Sequence, residues 1–385
     1  MEGSLPGLPL TRQILTGAAE TIADIPVLFV QHLKHDTVAF LRLWQENGGR
    51  VASCIAIPYS WNEEALSLAT ALGLDIQVPD AHSLLRAAAD SVDSLTKLGH
   101  PFVVQDVGGH IADLLTTRPL PPALFGVVEE TKQGLWRYQR LNSPNLRVFQ
   151  IADSPLKAIE AGYVGRSVAS TVSELVRASG HSIHGQTATV LGYGDIGRAC
   201  ALALRNIGCE VRVVEISPVR AVAAAGDGFR TLKPKQALTQ CRVIVGCTGA
   251  TSLSLADFDG LLGEFYLFSG SSRQVEFAAL FDEGAPQDHF PLRGRYTNVS
   301  VATLHTATCQ VHIVNQGYPV NFLHESLPDA IIDLVFAQIA AGIAQLLGNQ
   351  ADPGIKPLPA TLMDDLADRW LSLHAQSMEP GEIAR

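Results

Sequence analysis

Residues 187–218 read TATVLGYGDIGRACALALRNIGCEVRVVEISP, and this stretch decides the fold. An apolar, β-branched run turns on Gly192, Gly194 and Gly197 in G-x-G-x-x-G spacing. An alanine-rich helical pattern follows, Gly208 stops it, and a second strand ends on Glu215. In such a unit the first glycine allows a tight turn, the second lets backbone approach a pyrophosphate, and the third lets helix and strand pack closely. The helix start, with Asp195 and Ile196, offers unpaired N–H groups and a positive dipole end to phosphates. Glu215 is placed to accept ribose hydroxyls, which favours NAD over NADP. The bland alternative is a unit that has kept this shape and lost its ligand. The glycines alone are weak evidence, but strand, glycines, helix, strand and terminal acid together predict a dinucleotide site.

Outward from that motif, 385 residues are too many for one compact core, and two domains are expected. A chain with 47% apolar and 17% charged residues has the composition of a soluble globular protein. Its net charge of −10 argues against nucleic acid or an anionic membrane as the main partner. No leader and no uninterrupted apolar run near 18 residues stand out, so neither a signal peptide nor a membrane span is expected. The six cysteines are scattered without C-x-x-C pairs, which suits reduced thiols, a cytoplasmic setting and no metal site.

The N-terminal part alternates strand and helix. A lead-in helix ends near Asp24, a strand begins at Ile25, and Asp36 or Thr37 caps a helix that stops at Gly48-Gly49. Strand RVASCIAI, a turn at 58–60, helix NEEALSLATALG, strand DIQV, a helix over 82–99 and strand FVVQDV follow. This order predicts an α/β fold with doubly wound, parallel, Rossmann-like sheets in two domains. Gly108-Gly109-His110 then lies at a strand's carboxyl end, where such sheets place ligands. Residues 125–165 read as less regular, with a helix over 167–180 leading into the dinucleotide unit. Thr248-Gly249 and 269–272 fall at later strand ends facing the same crevice as the glycine loop. A helix over 327–348 is apolar on so broad a surface that burial is expected, and a linker and amphipathic helix over 360–374 follow. The expected domains are 1–165 for substrate, completed by the helix at 322–348, 166–321 for NAD, and a tail over 349–385.

Three segments together resemble S-adenosylhomocysteine hydrolase (adenosylhomocysteinase). GVVEETKQG at 126–134 is similar to that family's G-x-x-E-E-T-T-T-G segment, and DSPLKAIEAGYVGRS at 153–167 to its D-S-x-x-K stretch. The glycine motif, with GYGD and E-I-x-P, is very close to the family's cofactor motif. The resemblance implies NAD as a recycled catalyst. The family oxidises a ribose 3′-hydroxyl, eliminates homocysteine, adds water and returns the hydride. It also implies a homodimer or homotetramer acting on a small molecule.

By resemblance, Lys157 matches the lysine near the 3′-hydroxyl and serves as base where burial or a nearby cation lowers its pKa. Glu130 matches the glutamate on the substrate ribose, and His32 the early substrate-site histidine. Tyr318 is a further candidate for proton transfer. Thr131 matches an NAD-contacting threonine. Thr248, Gly249, Ser271 and Asn315 join Gly192, Gly194, Asp195, Ile196, Gly197 and Glu215 as cofactor residues. Against this, Val107 stands where the family has a catalytic aspartate, and Ala161-Gly162, give or take one residue, where it has an Asp-Asn pair. Ser271 and Tyr318 stand in for two histidines, and the family's reaching C-terminal tail is absent. Loss of one acid–base group costs roughly 10²–10⁴-fold. The expected function is therefore NAD-dependent oxidation of a carbinol on a small polar or nucleoside-like substrate, with weakened hydrolysis. A genuine hydrolase, with His110, His305, His312 or His324 supplying missing groups, and a non-catalytic NAD-binding regulator are the alternatives.

Overall fold

The computed structural model describes residues 5–283, 287–289, 291–324, 327–348 and 352–374. The chain divides into two compact units, Met1–Glu160 with Pro328–Arg385, and Ala161–Leu327.

The first unit is built on strands β1 (Pro26–Leu33), β2 (Arg50–Trp61), β3 (Ile76–Gln77), β4 (Phe102–Asp106), β5 (Leu124–Glu129) and β6 (Arg147–Gln150). With a last strand, Gly354–Pro357, beside β6, they form one sheet in the order Gly354–Pro357, β6, β5, β4, β1, β2, β3. Every pairing in it is parallel. The chain winds outward from β1 through β2 to β3, then returns to the other side of β1 for β4. The switch point thus lies between β1 and β4, and ligands of such sheets bind beyond the strand carboxyl ends there.

The second unit holds β7 (Thr187–Leu191), β8 (Glu210–Val214), β9 (Arg230–Thr231), β10 (Val243–Gly246), β11 (Gly263–Ser269), β12 (Gln287–His289), β13 (Val301–His305) and β14 (Cys309–Val314). Their order is β12, β13, β14, β11, β10, β7, β8, β9. Strands β7 to β11 and β14 run parallel, while β12 and β13 add an antiparallel edge. Here the switch point falls between β7 and β10. The expected α/β fold with two doubly wound sheets is what the chain adopts.

Several local expectations change. Residues 125–165 are regular: β5, helix Lys132–Arg140, β6 and helix Pro155–Ala178 continue the alternation. The short helix escaped notice because only Gln133, Gly134, Leu135 and Tyr138 are buried on it. The long one hid behind Gly162 and Gly165. At Gly165 a Cβ would stand 2.5 Å from the Ile196 carbonyl oxygen, so this glycine serves close helix packing and does not break the helix. The turn expected at 58–60 lies inside β2. Its pairing with β1 jumps from Gln31–Ala56 to Leu33–Trp61, so residues 57–60 bow out of the ladder without ending the strand. Helix His35–Glu46 starts ahead of Asp36 and Thr37 and has no side-chain cap.

The stretch expected as a tail belongs to the first unit. Gly354–Pro357 extends its sheet, and Leu358, Met363 and Leu366 join its core. Helix Asp329–Gly348 also packs there, through Val335, Ile339, Ala340 and Ile343. It is the one helix among the described residues long and apolar enough to cross a membrane, and 72% of its apolar window is buried. No single apolar run marked it because Asp333 interrupts the pattern. That aspartate is buried and tied. Its carboxylate accepts from the backbone N–H groups of Leu10 (2.9 Å) and Thr11 (2.9 Å), from the Thr11 hydroxyl (2.7 Å), and pairs with His374 Nε2 (2.9 Å). One side chain thereby joins the first helix, the apolar helix and the last one.

Removing that carboxylate strands two buried N–H donors and takes a partner away from His374, while the Thr11 hydroxyl keeps the Asp333 carbonyl at 3.1 Å. Asp333→Ala is expected to destabilise the first unit by about 3 kcal/mol or more. All four tryptophans (Trp44, Trp61, Trp136, Trp370) lie in that unit. Urea unfolding followed by intrinsic fluorescence therefore reads the loss directly, and an unchanged midpoint would refute this role.

Candidate active site

Three strand ends meet at the first unit's switch point. Gln31 and His32 end β1, Asp106 ends β4, and Glu129 ends β5 with Glu130 after it. The loop after β4 must leave backbone N–H groups inside the protein, and two buried carboxylates collect them. Asp106 accepts from His110 N–H (3.1 Å), Ile111 N–H (2.9 Å) and the Tyr138 hydroxyl (2.7 Å). Glu129 accepts from Gly108 N–H (3.1 Å), Gly109 N–H (2.9 Å) and both the N–H and hydroxyl of Thr131 (2.7 Å each). Burial, and then the nearby Asp106, push Glu129 well above the ordinary carboxylate range against the pull of those donors. A Cβ on Gly134 would lie 2.1 Å from the Glu129 carboxyl carbon. The E-E-T-x-x-G pattern is therefore a structural lock. Glu129, Thr131 and Gly134 close it, and Glu130 is the residue it presents.

Glu130 is buried beside Gln31, whose amide donates to it (3.3 Å) while accepting from the His32 backbone N–H (2.8 Å). Lys157 arrives from the first turn of helix Pro155–Ala178. Ser154 starts that turn: its hydroxyl accepts from Leu156 N–H (3.1 Å) and donates to Gln338 (2.6 Å). Lys157 Nζ sits 3.7 Å from Glu130 and 3.3 Å from Glu160. Burial works against its charge, but Glu160 and Glu130 outweigh burial and hold the ammonium above the ordinary lysine value. Burial raises Glu130 despite the facing lysine. His32 is lowered to about 3 by burial, by Lys157 and by Lys34, so its ring is neutral, with Nδ1 2.5 Å from the Ser60 hydroxyl.

In the second unit the glycine loop follows β7. Gly192 has φ +87° and packs so closely that a Cβ would meet the Cys247 carbonyl oxygen at 2.9 Å, and a Cβ on Gly197 would meet the Gly192 carbonyl oxygen at 2.2 Å. Gly194 differs. Only an Arg220 guanidinium nitrogen, at 3.9 Å, lies near its missing Cβ. Protein packing does not demand glycine there, whereas close approach of a pyrophosphate does. Helix Asp195–Asn206 begins at once, and its first N–H groups point into that cradle. Glu215 is fixed at the end of β8 by the N–H groups of Tyr193 (2.6 Å) and Ser217 (2.7 Å). These residues fit NAD. Beside them, buried Glu276 accepts from Thr248 N–H (2.5 Å), Gly249 N–H (2.7 Å) and the Thr248 hydroxyl (2.9 Å), and also from the Ser271 hydroxyl. Burial raises its pKa against those donors.

The structure gathers His32, Glu130 and Lys157 into one cluster of the first unit, and the glycines, Asp195, Ile196 and Glu215 into one cradle of the second. Other expected residues are otherwise engaged. Thr131 caps helix Lys132–Arg140, accepting from Gly134 N–H (3.0 Å). The Thr248 and Gly249 N–H groups and the Ser271 hydroxyl turn inward to Glu276, so these residues shape the cradle's wall. Asn315 (φ +55°) closes a turn, donating to the Tyr318 and Pro319 carbonyls (3.3 and 3.4 Å). Tyr318 belongs to the second unit, and burial raises its phenol, which keeps its proton in place. Lys157 is not the depressed base expected of it, because its neighbours are carboxylates. Neither is it solvated: 13% of its side chain is exposed. Val107 is buried among Val30, Val104 and Ile111 and brings no charge. Sequence reasoning missed Gln31, Ser60, Glu160 and Glu276 as site residues. Only Glu160 had a signal, its i,i+3 spacing from Lys157 on a helix.

Two glycines separate packing from binding. Gly197→Ala is expected to lower the stability of the cofactor-free protein, since its Cβ has no room. Gly194→Ala should melt close to the wild type without cofactor yet bind NAD at least about tenfold more weakly. Calorimetric titration and melting curves check both, and equal NAD affinity in Gly194→Ala would refute the cradle.

Residues 163–259 match the family described as S-adenosyl-L-homocysteine hydrolase, NAD binding domain. Among curated proteins, the chain is 24% identical over 364 residues to S-inosyl-L-homocysteine hydrolase of Methanothermobacter thermautotrophicus, covering 91% of this chain and 84% of that protein. It is 25% identical over 402 residues to adenosylhomocysteinase of Nostoc sp., covering 98% and 90%. Against adenosylhomocysteinase of Saccharolobus solfataricus it is 23% identical over 343 residues, covering 86% and 80%. NAD is the cofactor that this match brings with it. With residues 163–259 matching that family's NAD-binding domain and about a quarter of residues identical over most of the chain, the protein is similar to the adenosylhomocysteinases, as a divergent relative.

Proposed function

We propose that this chain is an NAD-dependent enzyme that oxidises a carbinol on a small polar or nucleoside-like substrate, with inefficient hydrolysis of adenosylhomocysteine. The observation that carries this reading is the buried cluster of Gln31, Glu130, Lys157 and Glu160 at the first unit's switch point. Burying these charges costs several kcal/mol per ion before pairing offsets it. A scaffold that only bound NAD would have no use for them, which weighs against the regulatory alternative.

NAD, when bound, supplies a hydride acceptor. The chain's own groups must take the hydroxyl proton and steady the oxygen that loses it. Glu130 suits the first task, because burial lifts it toward working pH. Lys157, held as an ammonium by two carboxylates, suits the second: a fixed cation in a poorly solvated site stabilises negative charge as it develops. Neutral His32, locked to Ser60, orients a hydroxyl without competing for the proton. Val107 and Ala161 leave the elimination and water-addition steps without two carboxylates, which supports weak hydrolysis. The second reading, a genuine hydrolase, is favoured by relatives so named that align over about nine-tenths of the chain. A cytoplasmic homodimer or homotetramer is part of the same proposal.

The pH profile follows from the two shifts. The rate rises as Glu130 loses its proton, above the ordinary carboxylate range of about 4. It falls only as Lys157 loses its own, above the ordinary lysine value, and His32 adds no inflection near 6.5. The deciding experiment incubates the NAD-loaded protein with adenosylhomocysteine, inosylhomocysteine and simple nucleosides, reading reduced nicotinamide and released thiol. Nicotinamide reduction with slow thiol release is expected. Lys157→Met and Glu130→Gln should lose roughly 10²–10⁴-fold in rate and keep NAD. Rapid thiol release would establish the hydrolase instead, and no reduction or thiol with any substrate would sink the enzyme reading.

A further inference from the structure

The cluster around Lys157 holds one more carboxylate than one lysine needs. Lys157 keeps 13% of its side-chain surface, Glu130 8% and Glu160 16%, so each charge depends on its neighbours more than on water. The two carboxylates approach differently. Glu130 comes from a strand end, with its other oxygen on Gln31 (3.3 Å). Glu160 lies three residues after Lys157 on the same helix, at 3.3 Å, so it arrives with the helix and needs no loop to close.

We infer that Glu160 is a positioning residue, fixing the Lys157 ammonium beside Glu130 so that it acts on the carbinol oxygen as a cation. This rests on the proposed carbinol oxidation, although its test does not need turnover. No bond changes at Glu160, and the lysine proton stays on Nζ. Of the two carboxylates, Glu160 stands nearer the lysine Nζ, at 3.3 Å against 3.7 Å for Glu130.

The test uses full-length, NAD-loaded protein labelled with ¹⁵N-lysine, with the side-chain ammonium resonances followed against pH. The chain has seven lysines, and Lys157→Met identifies the signal. Lys132, paired with Asp153 at 2.6 Å, is the internal control. Glu160→Gln is expected to lower the Lys157 titration by one pH unit or more, about a tenfold weaker hold on the proton, and by more than Glu130→Gln does. Lys132 should stay unchanged. Glu160→Asp, the gentler change, carries the same test should the glutamine variant not fold, with a smaller downward shift. A Lys157 titration unmoved in the variant read, or moved together with Lys132, overturns the proposal. If the titration moves but no substrate is oxidised, the functional reading falls and the positioning role stands; the reverse result has the opposite meaning.

Discussion

Backbone N–H groups at the carboxyl ends of parallel strands must find acceptors inside the protein, and this chain meets the demand with buried glutamates. Glu129 and Glu276 do the same work in different units. Each takes two successive backbone N–H groups of a loop that follows a central strand, and each takes a threonine hydroxyl as well. Each also fills space that a side chain would otherwise occupy, at Gly134 and at Gly246, where a Cβ would lie 2.6 Å from a Glu276 oxygen. A buried acceptor left without donors, or donors left without it, costs about 1–3 kcal/mol per group. The loops are therefore shaped by the glutamates, and the candidate site residues take their places from the loops.

This explains what was legible in the sequence. Strand–helix alternation and the glycine spacing are local patterns. They gave the α/β class, the two parallel sheets and the NAD cradle, because period and turn chemistry depend on neighbours in the chain. The E-E-T-x-x-G segment was legible as a pattern but not as a mechanism. Its first glutamate, its threonine and its glycine form the lock, and only Glu130 faces the cluster. Thr131, expected at the cofactor, also caps a helix. Glu276 left no trace, since one glutamate in an irregular stretch looks like a solvated one until the loop it organises is seen.

Lys157 shows the limit more sharply. A lysine inside a polar stretch can be a base, a cation or a surface charge, and the choice depends on what surrounds it. With 125–165 expected to be less regular, Glu160 stayed hidden, because i,i+3 neighbours exist only once the helix does. With the helix in place the lysine lies between two carboxylates, which hold its ammonium above the ordinary lysine value against burial. The same error concealed Gly165, a packing glycine within a helix. The C-terminal residues went astray for another reason. Pro353, Pro357 and Pro359 read as a linker, yet a strand at a sheet's edge tolerates proline because its outer side needs no N–H donor.

The order of the chain carries one more consequence. The first unit is split, with the whole of Ala161–Leu327 lying between its two parts. During synthesis at about 5–20 residues per second, the dinucleotide-binding unit emerges complete and can fold. The unit with the charged cluster meanwhile lacks its apolar helix, its edge strand and the last helix. Ser154, which starts the helix bearing Lys157, leans on Gln338, and Asp333 must wait for His374. Translation thus imposes an order on maturation: the dinucleotide-binding unit is finished first, and the charged cluster of the other unit gains its supports only once residues 328–374 have been made.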